Sequence, residues 1–368
     1  MKNQRQHPYL GLPDRQFWRK EPGVERPALL DPVGDAPFRL SRKDKVVTAG
    51  SCFAQHVARH LTQAGFHHLI TEEPHPLLPA AVARNFGYQM FAARYGNIYT
   101  ARQLLQLLHR AYGLFTPLAE HWSLGEGERV VDPFRPQIQP KGFTSAAELA
   151  EDRKVHLAAV RRAIEEMDVF VFTLGLTEAW VDTRDGAVFP LAPGVAGGQY
   201  DPDIVAYHNF DEVETSADLL AALEFIRARN PQVRIILTVS PVPLNATMEN
   251  RHVLLSTTWS KAVLRIAAER ACRSLPDTFY FPSYEVITAP HSRGRYFAED
   301  RREVREEGVN HVMRLFFRHL AGEKPTRVAP KEKAKRKGDR PDPTLARMEQ
   351  LNRIHCDEEA LDNAAPDT

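Results

Sequence analysis

KVVTAGSCFAQHVARHL, Lys45 to Leu61, is the stretch whose reading decides the fold. Lys45 to Gly50 is a short apolar run that ends in glycine. From Phe53 onward the apolar residues Phe53, Val57 and Leu61 recur at helical spacing. The pattern is strand, turn, helix. Working outward, DVFVFTLG (Asp168–Gly175) is a continuous apolar run, as expected of a strand buried on both faces. VRIILTVSPV (Val233–Val242) reads the same way and ends at prolines, and FYFPSYEVI (Phe279–Ile287) supplies another strand. Phe66 to Ile70 is a possible further strand. Helical patterns cover Ala101–Tyr112, Ala147–Glu166, Leu219–Arg229, Thr257–Ser274 and Glu306–Leu320. Strands that alternate with helices argue for an α/β fold with a parallel sheet covered on both faces. Such sheets bind ligands beyond the carboxyl ends of their strands. That edge is expected to carry Ser51, Gly175 to Glu178, the residues from Ser240 onward and the loop around Asp300.

The flanks divide the chain. Residues 1–40 are Pro-rich and aperiodic and read as an extended arm, with Phe17 and Trp18 as expected anchors. The domain runs over 41–321. Within it, residues 114–145 form a long insertion or lid, and residues 182–210 form a second excursion rich in Gly and Pro. Residues 322–344 are basic, contain prolines and nearly lack large apolar residues, so they read as a disordered linker. Residues 345–368 read as a short helix and tail.

Composition excludes several classes. The 368 residues are 43% hydrophobic and 26% charged, which is ordinary for a globular chain. Basic and acidic residues balance at 48 and 47, so no global field favours nucleic acid or an anionic membrane. Three widely spaced cysteines give neither a disulfide framework nor zinc spacing. The polar N-terminus has no signal-peptide core, and no run of about 18 apolar residues suggests a span. These features predict a cytoplasmic protein that is not in the membrane, with no metal and no cofactor; its oligomeric state is left open. Walker A, GxGxxG, HExxH and CxxC patterns are absent.

Ser51 follows a strand and a glycine and opens a helix. Its backbone N–H is then placed as an oxyanion donor, and the helix end favours developing negative charge. The structural alternative is a helix cap. Cys52 is a competing nucleophile.

GSCFA at Gly50–Ala54 resembles the signature of the GSCFA family, a branch of the SGNH/GDSL hydrolase superfamily. YGNIYT (Tyr95–Thr100), DPFRP (Asp132–Pro136) and TLGLTEAW (Thr173–Trp180) also look like family blocks. So do TVSPVPL (Thr238–Leu244), SKAVLR (Ser260–Arg265) and FPSYE (Phe281–Glu285). The resemblance spans roughly residues 8–320. It implies a flavodoxin-like three-layer α/β/α sandwich with Ser51 as nucleophile. Gly96 and Asn97 match the glycine block that supplies a second oxyanion donor, and Gly175 matches the glycine of the third block. The superfamily's Asn two residues after that glycine is Thr177 here, followed by Glu178; Thr177 or a nearby residue such as Asn209 in YHNF must stand in. These three are expected to touch substrate.

The superfamily places its acid and base as Asp-x-x-His before the last helix. Asp300 fits the Asp, but the His position is Glu303. A serine hydroxyl needs a proton acceptor, and an imidazole held by a carboxylate serves best. His252, in the loop after the third strand, is the first candidate base and His311, on the last helix, the second; Asp300 and Glu178 are the candidate orienting carboxylates, Asp300 the better placed. Each histidine has a structural alternative, a partly buried imidazole with a hydrogen-bond partner. Ser260–Lys261 reads as structural rather than as a dyad. Arg135 either clamps an anionic substrate group or pins its own loop.

Two functions follow. One is an esterase or O-acyltransferase acting on a small-molecule or carbohydrate acyl ester through an acyl-enzyme on Ser51. The other is a non-catalytic carbohydrate- or partner-binding module on the same fold, which Glu303 supports. A nucleic-acid role for the basic tail is the least expected.

Overall fold

In the computed structural model, which describes residues 7–125, 127–322 and 357–359, the strand–turn–helix of Lys45–Leu61 forms the first unit of an α/β fold. The strands, in chain order, are β1 (Val46–Gly50), β2 (Trp122–Ser123), β3 (Val130–Val131), β4 (Val169–Leu174), β5 (Glu178–Asp182), β6 (Val188–Phe189), β7 (Val205–Asn209), β8 (Arg234–Val239) and β9 (Thr278–Tyr280). The helices are α1 (Phe53–Gln63), α2 (Ala80–Asn85), α3 (Ala101–Ala111), α4 (Ala146–Glu166), α5 (Glu212–Arg229), α6 (Val253–Ser274), α7 (Ser283–Thr288) and α8 (Glu306–Leu320).

Four strands make the central sheet, in the order β1-β4-β8-β9, and every pairing is parallel. Val46 faces Val169 and Gly50 faces Thr173, so β1 and β4 run in step to the tip that carries Ser51. Parallel strands need helical crossovers, which leaves both faces covered. Period-two alternation sorts the side chains between those faces. Val47, Ala49, Phe170, Phe172, Ile235 and Leu237 pack with residues of α3, α4, α5 and α6. Val46, Val169, Val171, Ile236 and Phe279 pack with residues of α1, α7 and α8. The result is three layers.

Several expected elements differ. Phe66–Ile70 contributes one bridge, His68 with Val46, at the edge where a fifth strand would lie. Just beyond, the N–H groups of Thr71 and Glu72 turn away to Ala92 O, which ends the pairing. FYFPSYEVI is a three-residue strand followed by a helix, because Pro282 has no N–H to continue the ladder. The excursion at 182–210 is not merely loop: β5 pairs antiparallel with both β6 and β7. The 114–145 insertion contains the small β2–β3 hairpin. The N-terminal arm is held differently from expectation. Trp18 is exposed and Phe17 half-buried, whereas Leu30, Val33 and Leu40 are buried. Arg314 donates to Ala28 O, and Asp31 pairs with Arg318 and His319. Nearly all of the basic linker and the helix read near 345–354 lie outside the described residues. Among the described residues no helix is long and apolar enough to cross a membrane.

Gly50 ends β1 at φ +129°, a conformation that side chains rarely adopt. A Cβ there would meet Thr173 O at 2.2 Å and Thr173 N at 2.7 Å. Both neighbours are sheet backbone and cannot yield. Gly50→Ala is therefore expected to destabilise the protein by more than about 1 kcal/mol. Urea denaturation of the purified variant checks this; a midpoint equal to wild type would contradict the backbone contact.

Candidate functional site

The turn after β1 is clamped from two sides. Ser51 N–H donates to Thr173 O at 3.0 Å, and Ile98 N–H donates to Gly50 O at 2.8 Å. The first bond extends the β1–β4 ladder by one residue. It also uses the amide that the sequence reading placed in the oxyanion hole, so that expectation is corrected. Ser51 is 2% exposed, and its Oγ is buried without a hydrogen-bond partner among the described residues. An unpaired buried hydroxyl costs about 1–3 kcal/mol, so this one is conspicuous. Cys52, beside it, is also buried.

Gly175 lies against Ser51. A Cβ on Gly175 would meet Ser51 Cβ at 2.9 Å and Tyr99 O at 3.1 Å, so glycine lets the loop after β4 lie on the serine. Its N–H donates to Tyr99 O at 3.1 Å. Gly175 is therefore a packing residue rather than the third oxyanion donor. Lys261, 2% exposed on α6, donates from Nζ to Gly175 O at 2.7 Å. It grips the loop over Ser51, while Ser260 Oγ is buried without a partner among the described residues. The two are not a hydrogen-bonded dyad.

The loop YGNIYT supplies polar groups of a different kind. The capping box of Thr100 and Gln103 fixes its end at α3. Gly96, at φ +69°, has nothing within 4 Å of the position a Cβ would take. Its N–H meets no acceptor among the described residues. Gln55, one turn along α1 from Ser51, donates to Asn97 Oδ1 at 3.0 Å. That orients the Asn97 amide so that Nδ2 donates to Asp357 Oδ2, also at 3.0 Å. Gln55, Gly96, Asn97, Arg135 and Asp357 line one small cavity of about 50 Å³.

The expected acid and base do not assemble. His252 is exposed, and its Nδ1 accepts from Leu254 N–H as the N-cap of α6. His311 is buried, with Nε2 at 2.9 Å from Leu30 O and Nδ1 at 2.7 Å from Tyr296 OH. A carbonyl only accepts, so Nε2 carries the proton and Nδ1 accepts from the phenol. Burial, followed by the charge of Arg314, lowers its pKa to about 4. It is a neutral imidazole with both nitrogens occupied. Asp300 is exposed and accepts from the N–H groups of Arg302 and Glu303, closing a turn before the last helix. Glu303 is exposed as well. Each histidine thus follows its structural alternative, and no side chain of the described residues hydrogen-bonds Ser51 Oγ.

The residues expected to touch substrate do come together. Thr177 Oγ1 donates to Asn209 Oδ1 at 2.7 Å, and Asn209 Nδ2 donates to Glu249 Oε1 at 3.0 Å. Thr247 Oγ1 donates to Glu178 Oε1 at 2.7 Å. Burial raises the pKa of Glu178, against the hydrogen bonds from Thr247 and Tyr207. Tyr207, Thr247 and Glu249 escaped the sequence reading because strand pairing and a distant loop bring them in. Arg135 follows its pinning alternative: it is 4% exposed and bonded to Asp132 at 2.9 Å, Asp152 at 2.8 Å and Arg94 O at 3.3 Å. Among the described residues no group of three or more His, Cys, Asp or Glu could hold a metal ion.

The family model described as the GSCFA family matches residues 45–316, most of the chain. The chain belongs to the GSCFA family. A search of the curated proteins finds no match. Among solved structures, this GSCFA chain is similar to an acetyl xylan esterase (Est2A) from the rumen bacterium Butyrivibrio proteoclasticus. The likeness is 11% identity and a TM-score of 0.23, over 66% of this chain and 55% of that one. The GSCFA chain thus spans about half the length of that structure.

His311 gives a test of its structural role. Its folded pKa lies near 4, below the ordinary 6.5, so the unfolded chain binds the extra proton between those values. The stability it contributes is complete above about pH 6.5 and is lost as pH falls towards 4. His68 and His156, also lowered to about 4 by burial, add in the same direction. Urea midpoints should fall from pH 7.5 to pH 4.5, and His311→Gln should flatten that decline. An unchanged slope in the variant would mean that the imidazole is not held neutral.

Proposed function

We propose that this GSCFA protein is a serine hydrolase of SGNH type that cleaves or transfers acyl esters through Ser51. The supporting observation is the buried, unpartnered hydroxyl at the tip of β1. It belongs to a turn held by the same loop that carries an unpaired Gly96 N–H and an oriented Asn97 amide. In this reading Ser51 Oγ attacks the acyl carbonyl carbon, and the Oγ–C bond forms. Gly96 N–H and Asn97 Nδ2 hold the oxyanion, taking the place of the Ser51 and Gly175 amides, which the sheet and the Tyr99 carbonyl have claimed. Collapse breaks the bond to the leaving oxygen, and the serine proton ends on the leaving alcohol. Water or a sugar hydroxyl then takes the acyl group. Thr177, Glu178 and Asn209 form the polar wall on the substrate side, and no cofactor or metal takes part. A small-molecule or carbohydrate acyl ester is the substrate class.

A second reading has its own observation. Ser51 Oγ has no acceptor among the described residues, and position 303 is an exposed glutamate. A non-catalytic module that binds acylated sugars or a partner would need neither a base nor an activated serine.

Hydrolysis of p-nitrophenyl acetate and labelling by a fluorophosphonate separate the two. Under the hydrolase reading the probe labels Ser51, and Ser51→Ala abolishes turnover while the circular dichroism spectrum stays native. Asn97→Ala should lower kcat by roughly 10²-fold, the usual cost of one oxyanion donor. His252→Ala should leave the rate unchanged, since that ring caps a helix. Absence of labelling together with equal hydrolysis by wild type and Ser51→Ala would leave the binding reading standing.

A further inference from the structure

Asp357 is far from the domain in sequence and inside its pocket in space. It lies 260 positions beyond Asn97, yet its Oδ2 accepts from Asn97 Nδ2 at 3.0 Å. Tyr99 OH donates to the same oxygen at 3.4 Å, and Asp357 N–H lies 3.0 Å from Tyr99 Oη. The residue is 8% exposed and begins the short turn Asp357–Glu359. Its carboxylate therefore sits on the donor that the proposed mechanism assigns to the oxyanion. Tyr99 in turn touches the loop over Ser51, since a Cβ on Gly175 would lie 3.2 Å from its ring. Ser51 Oγ meanwhile is shut off from solvent.

A carboxylate has the charge and planar geometry of the acid that ester hydrolysis releases. Asn97 Nδ2 carries two N–H donors, and the one given to Asp357 Oδ2 is not open to a substrate oxyanion while that bond lasts. We propose that Gly96, Asn97 and Tyr99 form a carboxylate- and acyl-oxygen-binding site, and that the chain's own Asp357–Glu359 segment occupies it through Asp357 as a competing ligand in cis. The proposal rests on the reading of Asn97 as an oxyanion donor. It adds that acyl substrates and free carboxylates must displace Asp357, so occupancy of the site and release of the segment are coupled. A ligand without an oxygen anion or carbonyl lacks the chemistry to displace it.

Two measurements on the full-length chain test this. The first is hydrogen exchange of the peptide that contains Asp357–Glu359, with sodium acetate as the probe and sodium chloride at equal ionic strength as the control. Exchange in the wild type should be slow, and acetate but not chloride should speed it several-fold. Asp357→Ala and Asn97→Ala should exchange fast without acetate. The second is the rate at which a fluorophosphonate labels Ser51, which should rise several-fold in Asp357→Ala. Exchange that is the same in wild type and Asp357→Ala and indifferent to acetate would overturn the proposal, whatever happens at Ser51. Slower labelling of Asp357→Ala would also overturn it, because Asp357 would then assist the serine. If no variant is labelled, the nucleophile assignment fails, and the exchange result still decides whether the site binds carboxylates.

Discussion

The pressing of the β1 tip onto the backbone of β4 is the constraint on which the site depends. Gly50 has no Cβ, so Thr173 can approach to a distance that any side chain would block. Because the strands meet there, Ser51 N–H continues the ladder to Thr173 O, and Gly50 O receives Ile98 N–H from the third element of the site. One contact thus sets the height of the serine, the position of the YGNIYT loop and the fate of the serine amide. The amides of Ser51 and Gly175 are bonded to Thr173 O and Tyr99 O, and for that reason the proposed hydrolase draws its oxyanion donors from Gly96 and Asn97.

Around that contact the protein spends polar groups on holding loops. Lys261 grips Gly175, Arg135 is tied to two carboxylates, and the Asp132 carboxyl, although buried, is kept ionised by the guanidinium groups around it. A buried cation is tolerable only when paired in this way. Of these, only Arg135 had a substrate role open to it in the sequence; Lys261 already read as structural. In space they are the scaffold that keeps a serine, a glycine amide and an asparagine amide on one edge of the sheet.

The fold was largely legible before the structure. The continuous apolar runs at Asp168–Gly175 and Val233–Val242 could only be strands covered on both faces, and Glu306–Leu320 matched its helix from end to end. Where the reading slipped, local chemistry was the cause. Pro282 ended a strand early, and Thr71 turned the edge segment after one bridge. The hairpins after Glu178 were hidden by their Gly- and Pro-rich connections.

The amino-acid sequence by itself determined the alternation of strands and helices, the glycine–serine tip and the edge of the sheet that carries it. These follow from periodicity and backbone freedom, which act over a few residues. The roles of His252, His311, Asp300 and Arg135 were open in the sequence. Each residue type suits catalysis and structure equally well, and only its neighbours choose between them. Leu30 and Tyr296 claimed one imidazole, a helix end claimed the other, and Asn97 drew in Asp357 from 260 residues away. Hydrogen-bond partners so distant along the chain leave no local pattern, so the tertiary structure alone decided them.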